Sequence, residues 1–203
     1  MISHAALARL AAAAYSGPQS GRVALDVRYD LIPRDGELVV VMPGTHPADP
    51  LDWLRDLRAW PRWFAGVGPA HSGFGGGGAA LWRRIGPELA RETRLITYAG
   101  HSLGGALAQM LAVFHAAAGL APCRAVTFGA PRVPFVNPWF RVLARRALAI
   151  AEYARAGDIV PDAPLRALYH HPSRPVAIGA SVGNIVGDHS IARYAADLQQ
   201  LGL

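Results

Sequence analysis

The first part of the chain shows a helical periodicity followed by strand-like runs. Ser3 can cap a helix whose apolar residues then recur on one face. Two β-rich runs follow, at Val23–Ile32 and Leu38–Met42, and they flank Pro33–Gly36, whose Asp-Gly pair favours a hairpin. The turn Pro43–Thr45 ends the second run. The sequence therefore predicts one helix and one β-hairpin here.

The next part of the chain predicts two helices separated by a loop. Helical spacing covers Leu51–Trp60 and stops at Pro61, which cannot continue a helix. Glycines crowd Gly73–Gly78, and such a run is typical of a loop. A second helix is predicted near Ala79–Arg91.

The second half of the chain alternates strands with helices. A short buried strand, Arg94–Ala99, leads directly into Gly100, and the apolar stretch Leu103–Ala118 is long enough to favour a buried helix. A last helix starts near Asp188. Further strands are predicted at Ala125–Phe128, Ala149–Tyr153 and Leu168–Ile178. This alternation indicates an α/β fold with a central, mostly parallel sheet flanked by helices, in a single domain over residues 1–203.

Composition fits a globular protein with a basic surface. The chain is 52% hydrophobic and 17% charged, with a formal net charge of +6, and every basic residue is arginine. The arginines are scattered from Arg9 to Arg193 without a dense block, so we expect a solvated basic surface, with a partner-binding patch as the alternative, and no nucleic-acid partner.

Three further features of the sequence bear on disulfides, on location and on metal binding. Cys123 is the single cysteine, so it cannot form an internal disulfide, and it reads as a core residue. No secretory signal and no membrane-length apolar stretch is visible, which makes the cytoplasm the expected location. His170-His171 lacks neighbours at metal-ligand spacing, so we expect no metal and no cofactor.

Gly100–Gly104 has the form of a nucleophile elbow around Ser102. A strand precedes it and a helix follows, and glycines on both sides of Ser102 keep side chains out of the tight turn. A serine hydroxyl needs such exposure and an adjacent base to attack a carbonyl. We therefore predict Ser102 as the nucleophile of a serine hydrolase.

A base and an acid should follow the nucleophile in the order Ser, acid, His. His189 is favoured as the base because it lies at a loop-to-helix junction near the C-terminus, with His170 and His171 as alternatives. The residues that could supply the acid all lie between Ser102 and His189; they are Glu152, Asp158, Asp162 and Asp188. Asp158 follows a strand and a glycine, Asp162 is the second choice, and Asp188 is interpreted as a helix cap.

The oxyanion formed on the substrate needs two N–H donors about 3 Å away. The backbone of Leu103, directly after the nucleophile, is the first candidate. The second should come from a loop after an earlier strand, and Gly44-Thr45 occupies such a position, with Thr45 as the donor residue.

Several segments together resemble the class 3 lipases, the family of fungal triacylglycerol lipases and their small bacterial relatives. Thr97–Ala108 is similar to the nucleophile elbow of that family, and Thr127–Val133 to the strand and turn that follow it. Three further segments resemble the oxyanion turn, the acid loop and the histidine segment; they are Pro43–Thr45, Gly157–Pro161 and His189–Tyr194. The resemblance implies an α/β-hydrolase fold and favours Asp158 over Asp162 and His189 over His170.

The resemblance also directs attention to the helix after the oxyanion turn, which forms a mobile lid in fungal members. Trp53, Trp60 and Trp63 alternate there with arginines, a composition suited to docking on anionic lipid, although inward packing of the tryptophans is the alternative. Trp53 and His101 are the candidate substrate or lid residues. Pro43 departs from the residues common in the family before its oxyanion turn.

Four functions remain open at this point. The favoured one is hydrolysis of carboxylic esters, including lipids, through an acyl-enzyme at Ser102. Phospholipase A1 activity at an anionic membrane is the second and shares the triad. A catalytically silent binding module is the third, and an acyltransferase, which would use the same triad with an acceptor other than water, is the fourth.

Overall fold

We describe the fold from a computed structural model. It describes residues 1–17, 20–23, 27–34, 36–45, 60–135, 138–146 and 149–203.

A seven-stranded sheet organises the described residues, in the order β1-β2-β3-β6-β7-β8-β9. Its strands are β1 Gly21–Val23, β2 Val27–Arg34, β3 Glu37–Met42, β6 Leu95–His101, β7 Arg124–Phe128, β8 Ala149–Arg155 and β9 Val176–Ile178. The strands β3, β6, β7, β8 and β9 are parallel, whereas β1 and β2 pair antiparallel at one edge. A separate antiparallel hairpin joins β4, Pro61–Phe64, to β5, Gly68–His71. The mostly parallel α/β sheet predicted from the sequence is confirmed.

Helices cover both faces of this sheet. They are α1 His4–Ala13, α2 Ser72–Leu89, α3 Leu103–Ala117, α4 Pro138–Arg146, α5 Ile185–Asp188 and α6 Ile191–Gln200. Alternate residues of β3 enter opposite layers: Val39 packs in a cluster with residues of α1 and α6, and Val40 in one with residues of α2 and α3. Because both faces are covered, β3 is buried along its whole length. No helix in the part of the chain described here is long and apolar enough to cross a membrane.

The N-terminal predictions are confirmed with shifted boundaries. Ser3 caps α1, since its hydroxyl oxygen accepts a hydrogen bond from the Ala6 N–H at 3.2 Å. The predicted hairpin forms between β2 and β3, which pair from Asp30 with Val41 to Arg34 with Glu37, so the turn is tighter than expected. The predicted strand Val23–Ile32 is wrong as one element, because β1 ends at Val23 and pairs antiparallel with β2.

The prediction of a loop at Gly73–Gly78 is wrong, because these residues form the first turns of α2. Their lack of side chains lets the helix pack closely. A Cβ on Gly75 would overlap the Phe64 ring, and one on Gly78 would lie 2.7 Å from the Met110 Cβ on α3. Close packing with its neighbours, rather than chain flexibility, explains this glycine run.

Other predictions differ in extent. The strand predicted at Leu168–Ile178 shortens to β9, and the hairpin of β4 and β5 was not foreseen. Asp188 does not cap the last helix, because Ser190 is its N-cap residue and Asp188 ends α5. The helix predicted at Leu51–Trp60 lies outside the described residues except for Trp60.

Candidate active site

Ser102 lies at a sharp turn between β6 and α3. Its φ of 57° and ψ of −125° make it the one residue other than glycine with positive φ in the described chain. Such a conformation is strained for a residue with a side chain and is held by its surroundings. Here the Ser102 N–H donates to the Phe128 carbonyl at 3.0 Å, which ties the turn to the end of β7.

The glycines beside Ser102 permit this turn. A Cβ on Gly100 would overlap the carbonyl oxygen of Gly104, and a Cβ on Gly104 would overlap that of Met42, at the end of β3. Backbone therefore occupies the space that side chains would need. The elbow predicted from the sequence is present, with both glycines required by close approach.

Asp158 and His189 form a hydrogen-bonded pair. The Nδ1 of His189 lies 3.0 Å and 2.9 Å from the two Asp158 carboxylate oxygens, and the Asp158 side chain is completely buried. Because a carboxylate only accepts, Nδ1 carries the proton, which leaves Nε2 able to accept one. In the described structure, no hydrogen bond joins Ser102 Oγ to His189. Catalytic hydrogen bonds of this kind often reach their full strength only when substrate is bound.

Two further donors hold the Asp158 carboxylate. The hydroxyl of Tyr194, on α6, donates to Oδ2 at 2.6 Å, and the Val160 N–H donates to Oδ1 at 3.0 Å. The Tyr194 oxygen in turn accepts the Arg155 N–H at 2.9 Å. The sequence did not reveal Tyr194 because it occupies an apolar position of the last helix, and its hydroxyl gave no separate signal.

The other acid candidates have different partners. Glu152 is buried and accepts from Gln109, His171 and Ser173. Asp162 is exposed and pairs with Arg132 at 2.9 Å.

Asp188 and the alternative histidines also lie away from the Asp158–His189 pair. Asp188 accepts from the Val182 N–H and the Ser181 hydroxyl, both at 2.7 Å. His171 contacts Glu152 at 2.7 Å and the Pro161 carbonyl at 2.8 Å, so it needs both ring protons to make both bonds. Of the four acid candidates, Asp158 is thus the one that the structure brings to His189.

The predicted oxyanion turn, Gly44-Thr45, lies against Ser102. A Cβ built on Gly44 would be 2.9 Å from the Cβ of Ser102. Leu103 opens α3, where the first N–H groups of a helix have no partner within the helix. Thr45 follows directly after Gly44 and is exposed. Both predicted oxyanion donors therefore belong to segments that adjoin Ser102.

Tyr15 connects the oxyanion turn to the two histidines of the site. Its hydroxyl accepts the Gly44 N–H at 3.0 Å and contacts the His101 Nδ1 at 2.6 Å, while the His101 Nε2 contacts the His189 carbonyl at 2.8 Å. The carbonyl only accepts, so Nε2 carries the proton and Nδ1 accepts from Tyr15.

His101 and Tyr15 both stay neutral in this network. Burial, with a contribution from charge on His189, holds the pKa of His101 well below its ordinary value. Burial also raises the pKa of Tyr15 to about 12. His101, expected at the substrate or lid, has both ring nitrogens bonded within the protein.

The aromatic segment is described only in part. Trp53 lies outside the described residues. Trp60 and Trp63 are 82% and 74% exposed, so neither packs inward as the alternative interpretation required. Within the described ranges, no group of histidine, cysteine or acidic side chains is arranged to hold a metal ion.

A family model matches this arrangement. The model of the class 3 lipases matches residues 39–168, well over half of the chain, and spans the elbow and Asp158. The chain belongs to the class 3 lipase family. The resemblance stated from its motifs is confirmed.

Solved lipases share the fold of this class 3 lipase chain. Lip2 lipase from Yarrowia lipolytica is 22% identical with a TM-score of 0.60, over 75% of this chain and 60% of that one. Rhizomucor miehei triacylglyceride lipase is 20% identical with a TM-score of 0.67, over 79% and 64%. Lipase II from Rhizopus niveus is 23% identical with a TM-score of 0.63, over 75% and 61%. No curated protein sequence matches this chain.

These comparisons confirm the α/β-hydrolase fold. They also show a difference in size, because this class 3 lipase chain spans only about three-fifths of the length of the solved relatives.

Proposed function

We propose that this protein hydrolyses carboxylic esters, lipid esters among them, through an acyl-enzyme at Ser102. His189 acts as general base and acid, Asp158 orients it, and the backbone N–H groups of Thr45 and Leu103 form the oxyanion hole. The observation that carries the proposal is the strained Ser102 turn in a fold that also pairs His189 with Asp158.

The first half of the reaction follows from the hydrogen-bond roles. His189 Nε2 takes the Ser102 hydroxyl proton as Oγ bonds to the ester carbonyl carbon, and the negative charge on the former carbonyl oxygen meets the two N–H donors. The tetrahedral intermediate collapses when the bond from carbon to the alkoxy oxygen breaks. His189 gives its proton to the departing alcohol, and the acyl group stays on Ser102.

The second half repeats these roles with water. His189 takes a proton from water as the water oxygen bonds to the acyl carbon. The bond between this carbon and the Ser102 Oγ then breaks, and Oγ recovers the proton from His189. A free carboxylic acid is released. The buried Asp158 carboxylate stabilises the imidazolium in both halves.

The substrate class is proposed from the relatives. Rhizomucor miehei triacylglyceride lipase shares the fold, and the class 3 lipase model covers the elbow of this chain. A lipid ester is therefore the substrate we propose, with shorter acyl esters accepted by the same chemistry.

The test compares wild type with Ser102→Ala on nitrophenyl esters of graded acyl length. We expect the loss of the nucleophile to reduce kcat by a factor on the order of 10⁶. Ser16→Ala removes an exposed serine hydroxyl and is the matched control, for which we expect unchanged activity. Equal activity of wild type and Ser102→Ala, or no activity in either across the series, would overturn the proposal.

Contact with a lipid interface is a second part of the proposal. Two largely exposed tryptophans, Trp60 and Trp63, flank Arg62 at the start of β4, and aromatic rings beside a cation suit the headgroup region of a membrane. This favours phospholipase A1 activity as the alternative substrate choice at the same Ser102. We expect Trp60→Ala/Trp63→Ala to lose activity on phospholipid vesicles and to keep it on a soluble ester. Equal losses on both substrates would contradict interface contact.

A further inference from the structure

Six arginines that are far apart in the sequence line one cleft beside β8. The cleft has a volume of about 680 Å³ and lies on the side of α4 and of the segment that precedes β9. The arginines are Arg132, Arg141, Arg145, Arg155, Arg166 and Arg174. Six of the twenty arginines are thus gathered in space, which favours the alternative of a partner-binding patch.

Two of the six arginines already have acidic partners. Arg132 pairs with Asp162, and the buried Arg155 lies 2.5 Å from Asp197 and 3.8 Å from Asp188. Asp158 also lines the cleft, and its buried carboxylate is held by His189, Tyr194 and the Val160 N–H. The acids of this region are therefore committed to these two arginines and to His189.

The other four arginines have no acidic partner among the residues the structure describes. Arg141 and Arg145 lie one helical turn apart on α4, and Arg166 and Arg174 lie in the loops across from them; all four are exposed. Each guanidinium carries five donors and retains its charge at every physiological pH. Four unpaired cations on one concave surface produce a strong positive potential.

His170 supplies an independent sign of a missing acceptor. Its Nε2 is buried and has no hydrogen-bond partner among the described residues, and the ring lines the same cleft. Burial, and the charges of Arg141 and His171, lower the pKa of His170 to about 4. In the tautomer with the proton on Nε2, this ring can donate a hydrogen bond to an anion in the cleft.

We propose that this cleft is a binding site for a phosphate group, held by Arg141, Arg145, Arg166 and Arg174. Phosphate carries more than one negative charge, and its oxygens match the paired donors of guanidinium groups. The phosphate belongs either to a free anion or to the headgroup of an anionic lipid. Binding does not depend on Ser102, so the inference goes beyond the proposed hydrolysis.

The test measures binding rather than turnover. All proteins carry Ser102→Ala, so that hydrolysis of a ligand cannot affect the result. The probes are inorganic phosphate, glycerol phosphate, vesicles of phosphatidylcholine, and the same vesicles with added phosphatidic acid. The site variant replaces Arg141, Arg145, Arg166 and Arg174 with glutamine. The control variant makes the same replacement by glutamine at four exposed arginines outside the cleft, and so removes the same charge; they are Arg34, Arg83, Arg84 and Arg91.

We expect the site variant to bind phosphate probes roughly 600-fold more weakly, because each of the four arginines contributes roughly fivefold at an anionic surface. The control variant should bind within about twofold of its parent, which corresponds to roughly 0.4 kcal/mol. Binding of the soluble phosphates identifies a free anion, whereas binding only of phosphatidic acid vesicles identifies a lipid headgroup. Equal weakening in both variants, or no binding of any phosphate probe by the parent, would overturn the inference. The activity of the wild-type protein, which retains Ser102, is measured separately on soluble esters and tests the proposed hydrolysis alone.

Discussion

The carboxylate of Asp158 shows how individual side chains define this site. It has lost all contact with water and accepts hydrogen bonds from His189, Tyr194 and Val160. A buried carboxylate that is fully hydrogen-bonded keeps a fixed orientation. Tyr194 is therefore a positioning residue for His189, acting through Asp158.

Replacing Tyr194 with phenylalanine removes one donor from Asp158 and leaves the aromatic ring in the core. A hydrogen bond to a charged group contributes about 1.5–3 kcal/mol, so we expect kcat to fall roughly tenfold to hundredfold with little change in KM. Steady-state kinetics on a soluble ester checks this difference between kcat and KM.

Tyr153→Phe is the matched control for this prediction. Tyr153 is also buried, and its hydroxyl contacts the His4 Nδ1 at 2.6 Å, far from Asp158 in the hydrogen-bond network. Its loss should reduce stability without reducing kcat. If both tyrosine variants changed kcat alike, the positioning role of Tyr194 would be wrong.

At the scale of elements, the glycine-rich start of α2 determines how closely that helix approaches its neighbours. Gly75 lies against the Phe64 ring and Gly78 against Met110 of α3, so the helix packs through its backbone. Glycine weakens a helix by about 1 kcal/mol relative to alanine, a cost that the close packing offsets. The helix buries these glycines instead of exposing a loop.

We expect Gly78→Ala to destabilise the protein although alanine is the better helix former. The new Cβ would lie 2.7 Å from the Met110 Cβ, which is fixed to the α3 backbone, and such overpacking costs about 1–3 kcal/mol. The net loss should be about 1 kcal/mol in the free energy of unfolding, measured with denaturant.

Gly73→Ala makes the same chemical change in the same helix and serves as the control. Its Cβ would meet the His71 ring at 3.5 Å, an ordinary contact, so we expect unchanged or slightly higher stability. A stabilised Gly78→Ala variant would show that close packing is not why α2 carries this glycine.

At the scale of the whole molecule, several histidines are kept neutral inside the fold. Burial lowers the pKa of His4, His101, His115 and His170 below the ordinary value of 6.5. The unfolded chain therefore binds more protons than the folded protein once the pH drops below that value. Folding stability must fall with pH in this range, because protonation favours the unfolded state.

We expect Tm to decrease as the pH is lowered from 6.5 to 5, because these histidines take up protons more readily in the unfolded chain than in the folded protein. The acids whose pKa is lowered, Glu37 among them, lose their contribution only at lower pH, below their ordinary value of 4.5. Calorimetric melting across this range checks the slope. His115→Gln should reduce the slope while leaving the site intact, and a Tm that stays constant from pH 6.5 to 5 would contradict the prediction.

The sequence predicted those parts of the molecule that depend on local patterns. The Ser102 elbow needs a strand, two glycines and a helix in succession, all of which neighbouring residues specify. Asp158 and Asp162 both follow β8 closely, and only the folded loop determines which carboxylate meets His189. The choice of Asp158 therefore depends on the resemblance to the family. Tyr194, Tyr15 and the arginine cleft were missed because residues distant in the chain create them. The cytoplasmic location and the domain extent of 1–203 stay predictions.

The hydrogen bonds of Tyr15 place part of the proposed site outside the segment that the family model recognises. That segment, residues 39–168, contains Ser102 and Asp158, the proposed nucleophile and acid, but neither Tyr15, which bonds the Gly44 N–H, nor His189, the proposed base. A fragment trimmed to residues 39–168 would retain the recognisable motifs and lose the proposed base. On the proposed mechanism, a functional fragment therefore extends on both sides beyond the recognisable segment, at least from Tyr15 to His189.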